Sequence, residues 1–183
     1  MQFQNNMEEK SFKEDLHKIN TFILDVDGVL TDGSIYVTTT GELERAMNVK
    51  DGYALKTAMD AGYNICIISG GNNEGVRKRL AALGVEDIYL GIGQKIEIFE
   101  GYMEKHQLSP EQVVYMGDDI PDWPVMQLVG MPCCPQDAVN EIKSISRYIS
   151  HKKGGKGAVR DIIEQVMKVQ GKWAVMATNA QNY

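Results

Sequence analysis

Short apolar runs and amphipathic stretches alternate along almost the whole chain. Segments 21–26, 63–68, 87–90, 113–116, 130–133 and 148–149 are brief and β-prone. Their near-continuous apolar character predicts strands buried on both faces. Between them, apolar residues recur every three or four positions. Ala54, Leu55, Ala58 and Met59 mark a helix over 52–61. Val76, Leu80 and Leu83 mark one over 74–83, with Gly84 as its stop. Ile96, Phe99 and Met103 mark one over 95–106. Helices are also predicted over 137–144 and 158–170. Alternation of this kind predicts an α/β fold, a parallel sheet with helices on both faces. Ligands of such sheets bind beyond the carboxyl ends of the strands.

One segment breaks the rhythm. Residues 34–39 and 42–49 are β-prone and flank Thr40-Gly41, which predicts a hairpin projecting from the sheet. No internal repeat or low-complexity tract interrupts the rest. The 183 residues suit a single domain, with fraying expected over 1–15 and 179–183.

Composition narrows the class. With 43% hydrophobic and 24% charged residues the chain reads as an ordinary soluble protein. A formal net charge of -6 argues against nucleic acid as a partner. No apolar stretch approaches the roughly 20 residues that span a bilayer, and the polar start lacks a signal-peptide core. A cytoplasmic protein is expected. Cys66 sits in an apolar run and Cys133 and Cys134 are adjacent, which suits buried, inert thiols better than a disulfide framework. Trp123 is expected to pack on the sheet. Met59, Met103, Met116, Met126 and Met167 should fill core, His17 and His106 should face solvent, and Glu42 and Glu44 should lie on an exposed hairpin face.

Four strand ends carry chemistry. The first bears Asp25 and Asp27, followed by Gly28, which lets the backbone turn sharply beside them. The second bears Ser69-Gly70-Gly71. The third leads to Lys95 at a helix start. The fourth is Gly117-Asp118-Asp119-Ile120-Pro121-Asp122. Each alone has an ordinary explanation as a turn, a cap or a solvated charge. Together, in a parallel sheet, they meet on one edge, and acids gathered there need a cation. Asp25 can attack phosphorus and form an aspartyl-phosphate. Asp27 can protonate the leaving oxygen and then deprotonate water. Mg²⁺ prefers oxygen ligands, here the Asp25 and Asp118 carboxylates and a backbone carbonyl near Asp27. Ser69, the backbone N–H groups near Gly70, and Lys95 can hold the equatorial phosphate oxygens.

These motifs resemble the haloacid dehalogenase superfamily of phosphohydrolases. Asp25-Val26-Asp27-Gly28-Val29-Leu30-Thr31-Asp32-Gly33 and the Asp118 loop through Met126 carry that likeness. Asn48-Val49-Lys50-Asp51-Gly52-Tyr53 and Gly154-Gly155-Lys156-Gly157-Ala158-Val159-Arg160 resemble its 3-deoxy-D-manno-octulosonate 8-phosphate (KDO 8-phosphate) phosphatase branch. The similarity runs from about Ile19 to Trp173. It implies a Rossmann-like sheet without a cap domain, with Asp25 as nucleophile and Asp27 as acid and base. It implies Mg²⁺ held by Asp25, the Asp27 carbonyl and Asp118. Substrate contacts would come from Asp27, Asn48, Val49, Lys50, Asp51, Gly52, Lys56, Ser69, Gly70, Arg79 and Lys95. The implied reaction releases the free sugar acid and phosphate in lipopolysaccharide precursor synthesis. The chain departs from the common pattern at Gly71 and Lys56, where Arg is usual.

The intervals 33–69 and 69–95 have no room for a globular cap, so something else must cover the site. The resemblance implies a homotetramer, with hairpins packed together and a neighbour's C-terminal region helping to close the pocket. The basic, glycine-rich 151–157 segment is a flexible candidate for that role. Two other functions fit parts of the pattern. One is a phosphatase for a related acid such as a nonulosonate 9-phosphate. The other is a phosphoreceiver domain, whose phosphorylated Asp would normally lie mid-chain and lack a partner like Asp27.

Overall fold

Alternation along the strands sets the layers. In the computed structural model, which describes residues 12–173, eight strands form. They are β1 (Thr21–Leu24), β2 (Tyr36–Val37), β3 (Leu43–Glu44), β4 (Asn64–Ser69), β5 (Asp87–Leu90), β6 (Val113–Met116), β7 (Met131–Cys134) and β8 (Tyr148–Ile149). The α-helices are α1 (Phe12–Asp15), α2 (Val49–Asp60), α3 (Glu74–Ala82), α4 (Lys95–Lys105), α5 (Trp123–Met126), α6 (Asn140–Ile145) and α7 (Ala158–Val169). Six strands make one sheet in the order β5-β4-β1-β6-β7-β8, every neighbouring pair parallel.

Each buried strand feeds two cores, because successive side chains leave opposite faces. Phe22 and Leu24, Ile65 and Ile67, and Val114 and Met116 face one core with residues of α2, α3 and α7. Ile23, Cys66 and Ile68, and Val113 and Tyr115 face the other with residues of α4, α5 and α6. Strand β1 pairs with β4 on one side and β6 on the other. The chain therefore winds outward from β1 in both directions, and the crevice at its carboxyl end is the topological switch point.

The predicted strands and helices form with small shifts at their ends. The hairpin is the main exception. Its strands are two residues each, and among the described residues they pair only with one another. The predicted second arm, 42–49, is cut short because Asn48 caps α2 through Lys50 N–H, at 2.9 Å, so the chain is helical from Val49. The short helix α5 and the 3₁₀ turn Ile120–Asp122 lay outside the predicted elements, with Pro121 and Pro124 in first-turn positions.

Cys66, Cys133 and Cys134 are free and buried, and burial raises all three thiol pKa values. Trp123, the first residue of α5, is partly buried against the core on the α4 side of the sheet, and the five methionines are buried or packed on core. His17 is exposed, but His106 is half-buried, its ring 4.3 Å from that of Tyr102. Residues 12–15 form a helical turn whose Asp15 pairs with Arg147 at 2.6 Å. The fraying expected of 1–11 and 179–183 falls outside the described residues.

The 151–157 segment is not the loose arm expected. Gly155 N–H donates to Val29 O at 2.9 Å, and Gly154 N–H donates to Asp137 Oδ1 at 2.9 Å. Asn48 Nδ2 donates to Gly155 O at 3.2 Å, and Lys156 pairs with Asp32 at 3.0 Å. Gly154 and Gly155 are buried against the 28–32 turn of the same chain. A Cβ at Gly154 would run into the Gly28 carbonyl. Gly154→Ala is expected to cost about 1–3 kcal/mol through that overpacking, read as a lowered thermal midpoint.

Candidate active site

The strand pattern places Asp25 before any contact is considered. Ile23 faces the core beneath α4, so Asp25, two residues on, leaves the sheet on that same side. Lys95, the first residue of α4, arrives there from above. Its Nζ stands 2.7 Å from Asp25 Oδ2 and 2.7 Å from Asp122 Oδ1. All three residues are buried, at 8%, 6% and 1% exposure for Asp25, Lys95 and Asp122. Tyr115, on the same face of β6, donates its hydroxyl to Asp122 Oδ1 at 2.6 Å. Asp118 N–H donates to Asp122 Oδ2 at 3.1 Å. Asp122 thus folds the 117–122 loop back on itself, and both its oxygens are committed.

Asp25 and Asp118 remain as carboxylates that face the cleft. Asp25 Oδ1 accepts from Val26 N–H at 2.6 Å and Oδ2 from Lys95. Among the described residues no hydrogen-bond donor reaches the Asp118 carboxylate. Suitable oxygens of Asp25, Asp118 and Asp122 lie within 4.8 Å of one another. Burial, then Asp122, pushes Asp25 up to about 6 against the pull of Lys95. Burial, then Asp25 and Asp122, pushes Asp118 up to about 8. Burial alone would lower Lys95, but its two carboxylate partners raise it. Such a set lacks positive charge. A hard divalent cation on Asp25 and Asp118 supplies it, so the donors fit magnesium. Gly28 keeps the space open: at φ +83°, it has no Cβ to collide with the Asp118 carboxylate.

Asp27 sits differently. It is half-buried and held by Arg45 from the hairpin, with Nε to Oδ1 at 2.7 Å and Nη2 to Oδ2 at 3.0 Å. Asp25, Asp27, Ser69, Gly70, Lys95 and Asp118 all line one cleft of about 550 Å³, with Gly71, Gly91, Ile92 and Gly93 along its wall. Ser69 Oγ accepts from Gly71 N–H at 3.2 Å. A larger hollow of about 870 Å³ runs under the hairpin and is lined by Arg45 and Arg79, but none of the acids of the cleft borders it.

The remaining sequence-predicted contacts lie away from the cleft in this chain. Asn48 caps α2, and Val49 and Lys50 are exposed. Asp51 is buried and accepts from Arg160 N–H at 2.8 Å, fastening α7 to α2. Gly52 backs onto Arg79, and Lys56 pairs with Asp60 at 3.3 Å on an exposed face. Sequence reasoning missed Arg45 and Asp122 as partners of the chosen acids. Asp122 lay inside a quoted motif and could have been found there. Arg45, between Glu44 and Ala46, reads as a solvated hairpin charge and gives no signal.

No protein-family model matches the chain. Over 154 residues it is 41% identical to the 3-deoxy-D-manno-octulosonate 8-phosphate phosphatase of Salmonella typhi, covering 84% of this chain and 82% of that one. The crystal structure of the phosphatase of that name from Yersinia pestis aligns with a TM-score of 0.87 at 34% identity, over 89% and 88% of the two chains. That from Moraxella catarrhalis, in complex with a magnesium ion, a phosphate ion and a KDO molecule, aligns with a TM-score of 0.88 at 29% identity, over 91% and 96%. The sheet order and the acidic strand end are those of a haloacid dehalogenase superfamily hydrolase. Within that superfamily the chain belongs to the 3-deoxy-D-manno-octulosonate 8-phosphate phosphatase family.

The raised acids set a sign for stability. A carboxyl whose folded pKa exceeds its unfolded value favours the fold while protonated and loses that advantage as pH rises through the window. For Asp118 the window runs from 3.8 to about 8. The thermal midpoint of chelated protein is expected to fall across it, and the rise on adding Mg²⁺ should be larger at pH 8 than at pH 5. Calorimetry with and without Mg²⁺ at both pH values checks this. Asp122→Ala should also cost about 1–3 kcal/mol, since it takes one of two carboxylates from Lys95 and leaves the Tyr115 hydroxyl and Asp118 N–H without their acceptor.

Proposed function

We propose that the chain is a magnesium-dependent phosphatase that converts 3-deoxy-D-manno-octulosonate 8-phosphate into the free sugar acid and phosphate. The convergence of Asp25, Lys95 and a bare Asp118 carboxylate on one strand edge carries the reading. Asp25 attacks phosphorus in line with the departing sugar oxygen and becomes an aspartyl-phosphate, while Asp27 gives that oxygen a proton. Asp27 then takes a proton from the water that attacks the phosphoryl group, and Asp25 is regenerated as phosphate leaves. Ser69 Oγ, the Gly70 backbone and Lys95 hold the equatorial oxygens. Magnesium, when held by Asp25, Asp118 and the Asp27 carbonyl, supplies the positive charge that lets two anions approach.

The same reading covers the setting of the site. The domain is single and capless, and its cleft is closed by neighbouring copies in a homotetramer. Exposed apolar residues on and beside the hairpin support this: Ile35, Tyr36, Val37 and Leu43 are 44–70% exposed. Val49 and Lys50 are exposed, which leaves them as candidates for contact with a neighbour's substrate. Among the described residues no helix is long and apolar enough to cross a membrane. Free buried thiols suit a reducing compartment, the cytoplasm.

Asp25→Asn is expected to lower turnover at least about a thousandfold, and chelation of Mg²⁺ should do the same. A steady-state screen of phosphorylated sugar acids tests the substrate. The eight-carbon 8-phosphate should show the largest kcat/KM, and a larger value for a nonulosonate 9-phosphate would reassign the enzyme. A phosphoaspartate that persists for minutes would instead indicate a receiver domain.

A further inference from the structure

Arg45 turns inward from an exposed hairpin. Glu44 and Ala46 on either side are exposed, yet the Arg45 side chain is only 5% exposed. Its Nε and Nη2 take the two oxygens of Asp27, and Nη1 donates to the Leu43 carbonyl at 3.1 Å. A two-pronged bond of this kind fixes the plane of the carboxylate as well as its place. Room for the guanidinium comes from Gly71. A Cβ there would stand 2.7 Å from Asp27 Oδ2 and 3.3 Å from Arg45 Nη2. The missing side chain at the end of β4 and the long one from the hairpin therefore form a single device. Arg45 lines the hollow under the hairpin rather than the acidic cleft, so Asp27 stands between it and the phosphate site.

We propose that Arg45 is a positioning residue for Asp27, and that Gly71 is the space that admits it. The inference rests on the phosphatase reading above, in which Asp27 hands a proton to the leaving oxygen. Each carboxylate oxygen offers about two lone-pair sites. Arg45 uses one on each oxygen and leaves one on each for the proton in transit. With the plane fixed, one of those free sites is held toward the cleft. The hairpin is thereby coupled to the chemistry, since a shift of β3 moves the acid.

The test compares two esters in Arg45→Ala, Arg45→Lys and Gly71→Ala. The sugar-acid 8-phosphate has a poor leaving group that needs a proton. The p-nitrophenyl ester has a good one that does not. The ratio kcat/KM reports the steps up to departure of the alcohol. Arg45→Ala should lower it about a hundredfold for the sugar ester and less than about threefold for the nitrophenyl ester. Arg45→Lys should restore part of the loss. Gly71→Ala, which keeps the arginine but displaces the pair, should show the same bias. Equal losses on both esters would mean a merely structural role and would overturn the proposal. So would a rise in KM with kcat intact, or no loss at all. If the wild-type protein hydrolysed the nitrophenyl ester but ignored the sugar-acid ester, the substrate assignment would fall. The comparison with any alkyl phosphate it does accept would still decide the role of Arg45.

Discussion

Lys95 Nζ lies 2.7 Å from two carboxylates, and all three side chains are buried. Without it, two carboxylates would meet at that depth with no counter-charge between them. The pairing also explains the surroundings. Tyr115 and two backbone N–H groups saturate Asp122, which leaves Asp25 and Asp118 to face the cleft. One ammonium cannot balance three acids, and burial, then the residual repulsion between them, raises the pKa of Asp25 and Asp118. The site is built with a charge deficit that a divalent cation fills.

The two acids of the first motif show how environment divides labour between like groups. Asp25 is buried and tied to the ammonium at the start of α4. Asp27, past the end of β1, is half-exposed and clamped by a guanidinium from a different element. Gly28 and Gly71 both contribute by what they lack: one leaves space for the Asp118 carboxylate and the other for the Arg45 fork. A Cβ at either position would run into an acid of the cleft.

Surfaces around the cleft follow the same economy of parts. The hairpin sends one charged residue inward and leaves Tyr36, Val37 and Leu43 outward, a pattern that suits a face covered by another chain. The glycine-rich segment before α7 is folded onto the turn after β1, so its backbone supports that turn from behind. Asp51, inside the family-like 48–53 motif, fastens α7 to α2. Part of that motif is therefore architectural in this chain.

The parallel sheet, both helix layers and the gathering of Asp25, Asp27, Ser69, Lys95 and Asp118 in one cleft were legible in the amino-acid order. The physical reason is that strand period, helix period and glycine turns are local. In a parallel sheet, moreover, every strand end must arrive on the same edge. What local order could not supply was side-chain pairing across the fold. Arg45 meets Asp27 across 18 positions of chain, and Lys95 meets Asp122 across 27. The short reach of the hairpin strands, the folding back of residues 151–157 and the loss of Asn48 to a helix cap were likewise hidden. The folding back joins partners far apart in the chain, while the Asn48 cap is a local bond that displaces hairpin pairing, and only the packed three-dimensional structure decides which arrangement wins.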